Sequence, residues 1–186
     1  MTLETYSDLP IASPLKNVSG VFGALVLEQD TSYSLLHIRG IDAETLLQEP
    51  DMKIGDGIGA SDDEMLARLR RDEFVLLARD GRRSQDHLKG FIGDRHVTVT
   101  DITHGRCVLN LYGIDVARVL RKVCGLDFSD TAFPVNHAAQ TSLAKVRTLI
   151  IRYDYGVRQF YRLIVDRSLA QYVWDVVADA MQEFAN

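Results

Sequence analysis

The sequence predicts an α+β protein built from two related strand-turn-helix halves packed on β-sheet. Three observations carry this expectation. A twelve-residue pattern, Leu36 to Leu47, returns 73 residues later as Leu109 to Leu120, with five identical positions and Gly-Ile-Asp in the same register. Apolar residues alternate over several short stretches, as half-buried strands require, and recur at helical spacing over a few longer ones. The strands are punctuated by about four helices without strict strand-helix alternation, which sets the chain apart from doubly wound α/β proteins.

The elements follow in order. Residues 1–32 form an N-terminal segment of open structure, with Pro10 and Pro14 against an early helix and a strand expected from Val21 to Glu28. Residues 33–186 are expected to form a single unit containing the repeat. Leu36 and Ile38 alternate with His37 and Arg39 in a strand that runs into Gly40, and Ala43, Leu46 and Leu47 mark a helix face that Pro50 ends. Asp51 to Asp63, rich in Gly and Asp, reads as loop. Met65 to Leu69 and Phe74 to Leu77 form a hairpin around Arg70-Arg71-Asp72. Leu88, Phe91 and Ile92 give a short helix its stripe before Gly93, and Val97 and Val99 alternate in a strand.

The second copy carries Val116, Val119, Leu120 and Val123 on one helix face. Arg121 and Lys122 suit its last turn, and Gly125 is expected to supply a left-handed cap. A connector runs to about His137, and strands follow at Val146 to Arg152 and Phe160 to Val165, around an Asp154-Tyr155-Gly156 turn. The last helix has the stripe Leu169, Val173, Val176, Val177, Ala180, Met181 and Phe184, with Ser168 and Gln171 spaced as a capping box.

Composition narrows the function. The 186 residues suffice for one sizeable core, and 46% hydrophobic with 25% charged residues is ordinary for a globular protein. A net charge of -5 and a pI near 5.5 argue against nucleic acid, which needs a concentrated positive field. No apolar run reaches the roughly 20 residues of a membrane span. The opening Met1-Thr2-Leu3-Glu4 lacks the basic-then-apolar order of a secretion signal. Cys107 and Cys124 have no close cysteine neighbour and are expected as buried packing in a reduced, cytoplasmic protein.

Tests for chemistry return little. Gly55 to Gly59 matches neither glycine-rich phosphate loop, and a helix precedes it where a strand is needed. The histidines at 37, 87, 96, 104 and 137 show no metal-ligand spacing, and His37 is expected to be solvated. The arginines at 68, 70, 71, 79, 82 and 83 read either as a basic patch or as a solvated strand edge. Asp62-Asp63-Glu64 lies at the mouth of a strand, where a carboxylate could hold an N–H-bearing ligand or act as a base, or simply face water. Tyr172 and Trp174 lie beside the main stripe of the last helix, as anchors of a partner contact or as the rim of the core.

Taken together, the repeated strand-Gly-x-Asp-helix, Arg68 to Leu77 between the copies, and Phe160-Tyr161-Arg162-Leu163-Ile164-Val165 resemble the folate-binding domain of glycine-cleavage aminomethyltransferases. Within that superfamily, Ala132-Phe133-Pro134, Ala139 to Ala144, and Arg162 to Trp174 are similar to the gamma-subunit family of heterotetrameric sarcosine oxidases. The resemblance covers about Tyr33 to Phe184. It implies a folate site, and the departures bear on it. Catalytic members carry a Gly-Gly-Ile-x-Asp-Asp stretch, of which Ile58 to Asp63 is a degraded form, so Asp62 or Asp63 would take the place of the working aspartate. Arg162 stands where a pterin-binding acid is expected, which inverts the charge and removes the acceptor for pterin N–H groups. No counterpart is expected for the family's asparagine-bearing segment or its additional C-terminal domain.

The expectation is therefore a non-catalytic, gamma-type subunit of a sarcosine (N-methyl amine) oxidase-like complex in one-carbon metabolism. Asp62, Asp63 and Arg162 are its folate-position residues and Tyr172 and Trp174 its partner contacts, with no catalytic residue and no metal. No cofactor is expected on this chain, tetrahydrofolate being the candidate if one binds. Flavin and NAD would lie on larger partner subunits. The rival expectations are a stand-alone tetrahydrofolate-binding or aminomethyltransferase-like protein, supported by Asp62-Asp63, and a self-associating protein of unrelated use.

Overall fold

Both copies of the repeated pattern fold as strand, turn and helix, and the repetition extends to the sheets around them. A computed structural model of the chain describes residues 12–16, 18–48, 51–61, 63–156 and 158–185. The chain divides into two compact units, one holding Thr31–Gly105 with Ala12, the other joining Ser13–Asp30 to Arg106–Asn186.

In chain order, β1 (Ser19–Phe22) and β2 (Leu25–Asp30) belong to the second unit. The first unit holds β3 (Ser34–Arg39), α1 (Ala43–Leu47), β4 (Gly57–Ser61), β5 (Glu64–Arg70), β6 (Glu73–Ala78), α2 (Gly81–Gly90) and β7 (Thr98–Asp101). The second resumes with β8 (Arg106–Gly113), α3 (Val116–Val123), β9 (Ala138–Leu143), β10 (Val146–Tyr155), β11 (Arg158–Asp166) and α4 (Ala170–Gln182).

The first unit's sheet has the order β4-β5-β6-β3-β7 and the second's β1-β2-β8-β11-β10-β9, antiparallel throughout. Thus β4-β5-β6-β3 matches β9-β10-β11-β8, and the next place is filled by β7 in one unit and β2 in the other. This shared order explains why glycine recurs at Gly40 and Gly113. Both have positive φ (147° and 126°), and a Cβ would stand 2.0 Å from the His96 carbonyl oxygen at Gly40 and 2.1 Å from that of Ala24 at Gly113. Each opposing carbonyl precedes the neighbouring strand, so only glycine lets that strand approach. The following Ile41 and Ile114 are both exposed, and the aspartates diverge: Asp42 Oδ2 accepts from His96 N–H (2.6 Å), and Asp115 Oδ1 from Arg118 Nη1 (3.0 Å).

Each unit covers one sheet face with its helices. In the first, Leu36 and Ile38 of β3 meet Leu66, Phe74 and Leu76 beneath Ala43, Leu46 and Leu88. In the second, Leu109 and Leu111 of β8 and Tyr161, Leu163 and Val165 of β11 lie under Val116, Val119 and Leu120 of α3 and Val173, Trp174 and Val177 of α4. Each such fully buried side chain contributes about 1.5–3 kcal/mol.

Several expectations are corrected. Val21 to Glu28 is not one strand but the hairpin β1-β2, turned at Gly23-Ala24. The supposed loop before Asp63 contains β4, whose glycines carry no strand signal but pair with β5. The connector after α3 leads into β9, unseen because Ala-Ala-Gln-Thr-Ser-Leu has little apolar alternation. The end of α3 is set by extended Cys124, which bridges to Leu143, rather than by a left-handed Gly125. Before α4, Asp166 Oδ1 accepts from Ser168 N–H (3.0 Å) in place of a Ser168 box, and Gln171 Oε1 accepts from Lys16 N–H (2.8 Å). His37 is held by Glu73 at 3.0 Å instead of being merely solvated. Arg68 is no edge charge: it is buried, donating to the Met52 and Arg71 carbonyls and to Glu44 Oε2 (2.8 Å). Cys107 and Cys124 are buried and free, as expected.

Candidate functional site

Alternation along β11 sends Tyr161, Leu163 and Val165 into the helix-covered core and Arg162 to the opposite sheet face. There Arg162 stands opposite Asn110 of β8, which in turn stands opposite Glu28 of β2. Arg162 is 3% exposed, and such a buried charge persists only when its donors are met. Its Nε donates to Asn110 Oδ1 (3.1 Å) and its Nη2 to Tyr153 Oη (3.1 Å). Nη2 also lies 3.5 Å from Asp30 Oδ2, to which Asn110 Nδ2 donates at 3.0 Å. The Tyr153 ring supports the guanidinium face at 4.7 Å. Four strands thus supply one network of cation, amide, phenol and carboxylate.

Toward one end of the same face runs a row across the strands: Val21, Val26, Tyr112, Phe160 and Tyr153 stand side by side in register. Tyr112 and Phe160 stack at 4.1 Å, and Phe160 meets Tyr153 at 5.2 Å. Burial, and next the carboxylate of Glu28 to which it is hydrogen-bonded, hold the Tyr112 phenol above its ordinary value. On the helix-covered face, the buried Arg152 forms a second cluster. It grips both oxygens of Asp154 (3.2 and 3.0 Å) and reaches Asp130 and the Phe133 carbonyl, each at 2.7 Å. Burial opposes the Arg152 charge, but the bonds to Asp154 and Asp130 outweigh it. Tyr161, over whose ring this guanidinium lies, has a buried hydroxyl that meets no partner among the described residues.

The sequence-derived site residues are scattered between the units. Asp62 lies outside the described residues. Asp63, in the β4-β5 turn of the first unit, has a 75% exposed side chain paired with Arg79 Nε at 3.5 Å. It shares a groove of about 520 Å³ with Glu64, Asp80, Arg83, Ser84 and His87. Arg162 belongs to the second unit and is already bonded within it. Tyr172 is 49% exposed, but Trp174 is only 4% exposed, so the expectation of a surface anchor is corrected there: its indole completes the α4 core. Sequence reasoning missed Asp30, Asn110 and Tyr153. Asn110 had a signal, a lone amide between Leu109 and Leu111; Asp30 had none, because its strand was not resolved from the pattern.

Residues 55–185 match the model of the GCVT N-terminal domain, and the chain belongs to that family. Within it, the chain is 33% identical over 132 residues to the sarcosine oxidase subunit gamma of Corynebacterium sp. (strain U-96), and 32% identical over 134 residues to that of strain P-1. These alignments cover 71% and 72% of this chain but only 63% and 64% of the relatives. Among solved structures, the chain is similar to a chain of heterotetrameric sarcosine oxidase from Corynebacterium sp. U-96 in complex with pyrrole 2-carboxylate. The TM-score is 0.78 at 28% identity, over 90% of this chain and 88% of that one. The fold is also that of glycine cleavage system aminomethyltransferase T from Bartonella henselae, with a TM-score of 0.69 at 18% identity, over 84% of this chain and 46% of that one.

Proposed function

We propose that this chain is a non-catalytic, gamma-type subunit of a sarcosine oxidase-like assembly that oxidises an N-methyl amine in the cytoplasm. The observation that carries the proposal is the bonding of Arg162. Where the family resemblance calls for an acid that accepts pterin N–H groups, a buried cation donates to Asn110 and Tyr153 and pairs with Asp30. A donor cannot accept from an N–H, and Oδ2 of the nearby Asp30 already accepts from Asn110 Nδ2 and lies 3.5 Å from Arg162 Nη2. Similarity to sarcosine oxidase gamma subunits supports the same reading. Flavin, NAD and folate chemistry would then reside on larger chains, with this subunit supplying contacts.

Calorimetric titration of the isolated chain with tetrahydrofolate tests the loss of the ligand site. The expected result is no resolvable binding. A one-to-one complex of micromolar affinity or tighter would overturn the proposal in favour of a stand-alone folate-binding protein, and its loss in Asp62→Ala or Asp63→Ala would locate the site.

A further inference from the structure

Among the described residues, the second unit's sheet ends in an edge strand without the usual protection. Edge strands are blunted by charge, proline, irregularity or cover. In this chain β4 has a register break between Gly59 and Ser61, β7 ends in Asp101, and β9 is bridged at Leu143 by Cys124. By contrast β1 is Ser-Gly-Val-Phe, with no charge and no proline, paired to β2 in unbroken register.

Its hydrogen-bonding direction follows from the ladder. The Val18 carbonyl accepts from Gln29 N–H (2.8 Å), so positions 18, 20 and 22 face β2 while Ser19 and Val21 direct their N–H and C=O groups to the open side. Side chains alternate too. Gly20 lies beneath Trp174 and Phe22 packs on the core, leaving Val21, 70% exposed, at the end of the row that continues through Val26, Tyr112, Phe160 and Tyr153.

We infer that the outer edge of β1, unpaired among the described residues, is completed by an extended strand from a larger chain of the assembly, pairing with the backbone of Ser19 and Val21. This rests on the subunit function proposed above. The open backbone groups specify an extended occupant. The row specifies its side chain: an apolar residue opposite Val21 extends the apolar surface by one strand. A second copy is the weaker occupant, because two four-residue strands bury far less than the roughly 1,200 Å² of a stable interface. The occupant is therefore a chain held elsewhere as well, as a larger subunit is.

The test uses the assembly purified from its source, with the larger chains separated and re-titrated with the full-length wild-type chain, Val21→Pro and Val21→Thr. Proline removes the outward N–H of Val21 but no β1-β2 bond, and proline is tolerated at such edge positions. The expected outcome is at least tenfold weaker reassembly for Val21→Pro, near wild-type behaviour for Val21→Thr, and slowed amide exchange at Ser19 and Val21 only in the assembly. Should Val21→Pro fold poorly by thermal melting, the exchange measurement on wild-type protein decides. Reassembly with unslowed exchange at both amides would overturn the edge pairing while leaving the subunit function intact. Recovery of the wild-type chain without stoichiometric larger chains would instead overturn the subunit function, and the pairing with it.

Discussion

Arg162 on β11 and Asn110 on β8 stand directly opposite each other in an antiparallel ladder, and the guanidinium Nε donates to the amide Oδ1 at 3.1 Å. The pair occupies the sheet face away from the helices, with Asp30 and Tyr153 bonded to it. A charge buried this deeply commits its neighbours, and the consequences are measurable.

Arg162→Met should destabilise the chain by about 3 kcal/mol, because it removes the buried cation to which Asn110, Tyr153 and Asp30 are bonded. Adding Asp30→Asn in the same chain should recover much of that loss. Urea unfolding of the two variants checks both statements; a single variant as stable as wild type would mean that the network carries no energy.

The repeat makes a second prediction. Gly40→Ala and Gly113→Ala should each cost more than about 1 kcal/mol, since each combines a positive φ with a Cβ placed on a neighbouring carbonyl. Gly125→Ala should be tolerated, because its Cβ would meet nothing within 4 Å and its φ is not positive. Thermal melts of the three variants separate the two classes.

On the last helix, Trp174→Ala should destabilise the isolated chain by about 3–5 kcal/mol, as the loss of a core aromatic does. Tyr172→Ala should leave that stability within about 0.5 kcal/mol, since the ring is half exposed. If Tyr172 touches a partner, its loss weakens assembly alone. Melts paired with reassembly titrations distinguish the two residues.

Asp166 gives the pH dependence. The side-chain and backbone bonds from Ser168 hold its carboxyl below the usual aspartate value. A group depressed in the folded state adds stability above its unfolded value, about pH 3.9, and loses it as pH falls through the folded one. Asp166→Ala should therefore be destabilising at neutral pH and progressively less so in acid. Unfolding curves across that range test the sign: a deficit that grows on acidification would contradict it.

Elements rich in large apolar side chains were legible in the sequence. The helix of the second copy showed itself through the one-sided stripe Val116, Val119 and Leu120, and the hairpin of β5 and β6, buried on both faces, through its apolar runs around Arg70-Arg71-Asp72. Strands whose side chains are small or polar were not: β4 and β9 exist because neighbouring strands offer ladder bonds, a tertiary cause that local pattern does not carry. The site divided in the same way. Family resemblance singled out Arg162, but its partners come from positions 30, 110 and 153, and only the sheet register brings those together. Trp174 was ambiguous because a residue beside a helical stripe can turn either to the core or to a partner, and β1 approaching at Gly20 decides for the core.

The most direct test of the central claim is to purify the native protein from its source at near-physiological salt and record its intact mass together with its absorption spectrum. A gamma-type subunit predicts an assembly far heavier than 20.9 kDa, with flavin absorption and stoichiometric larger chains. Recovery of a colourless species made of this chain alone would contradict the account.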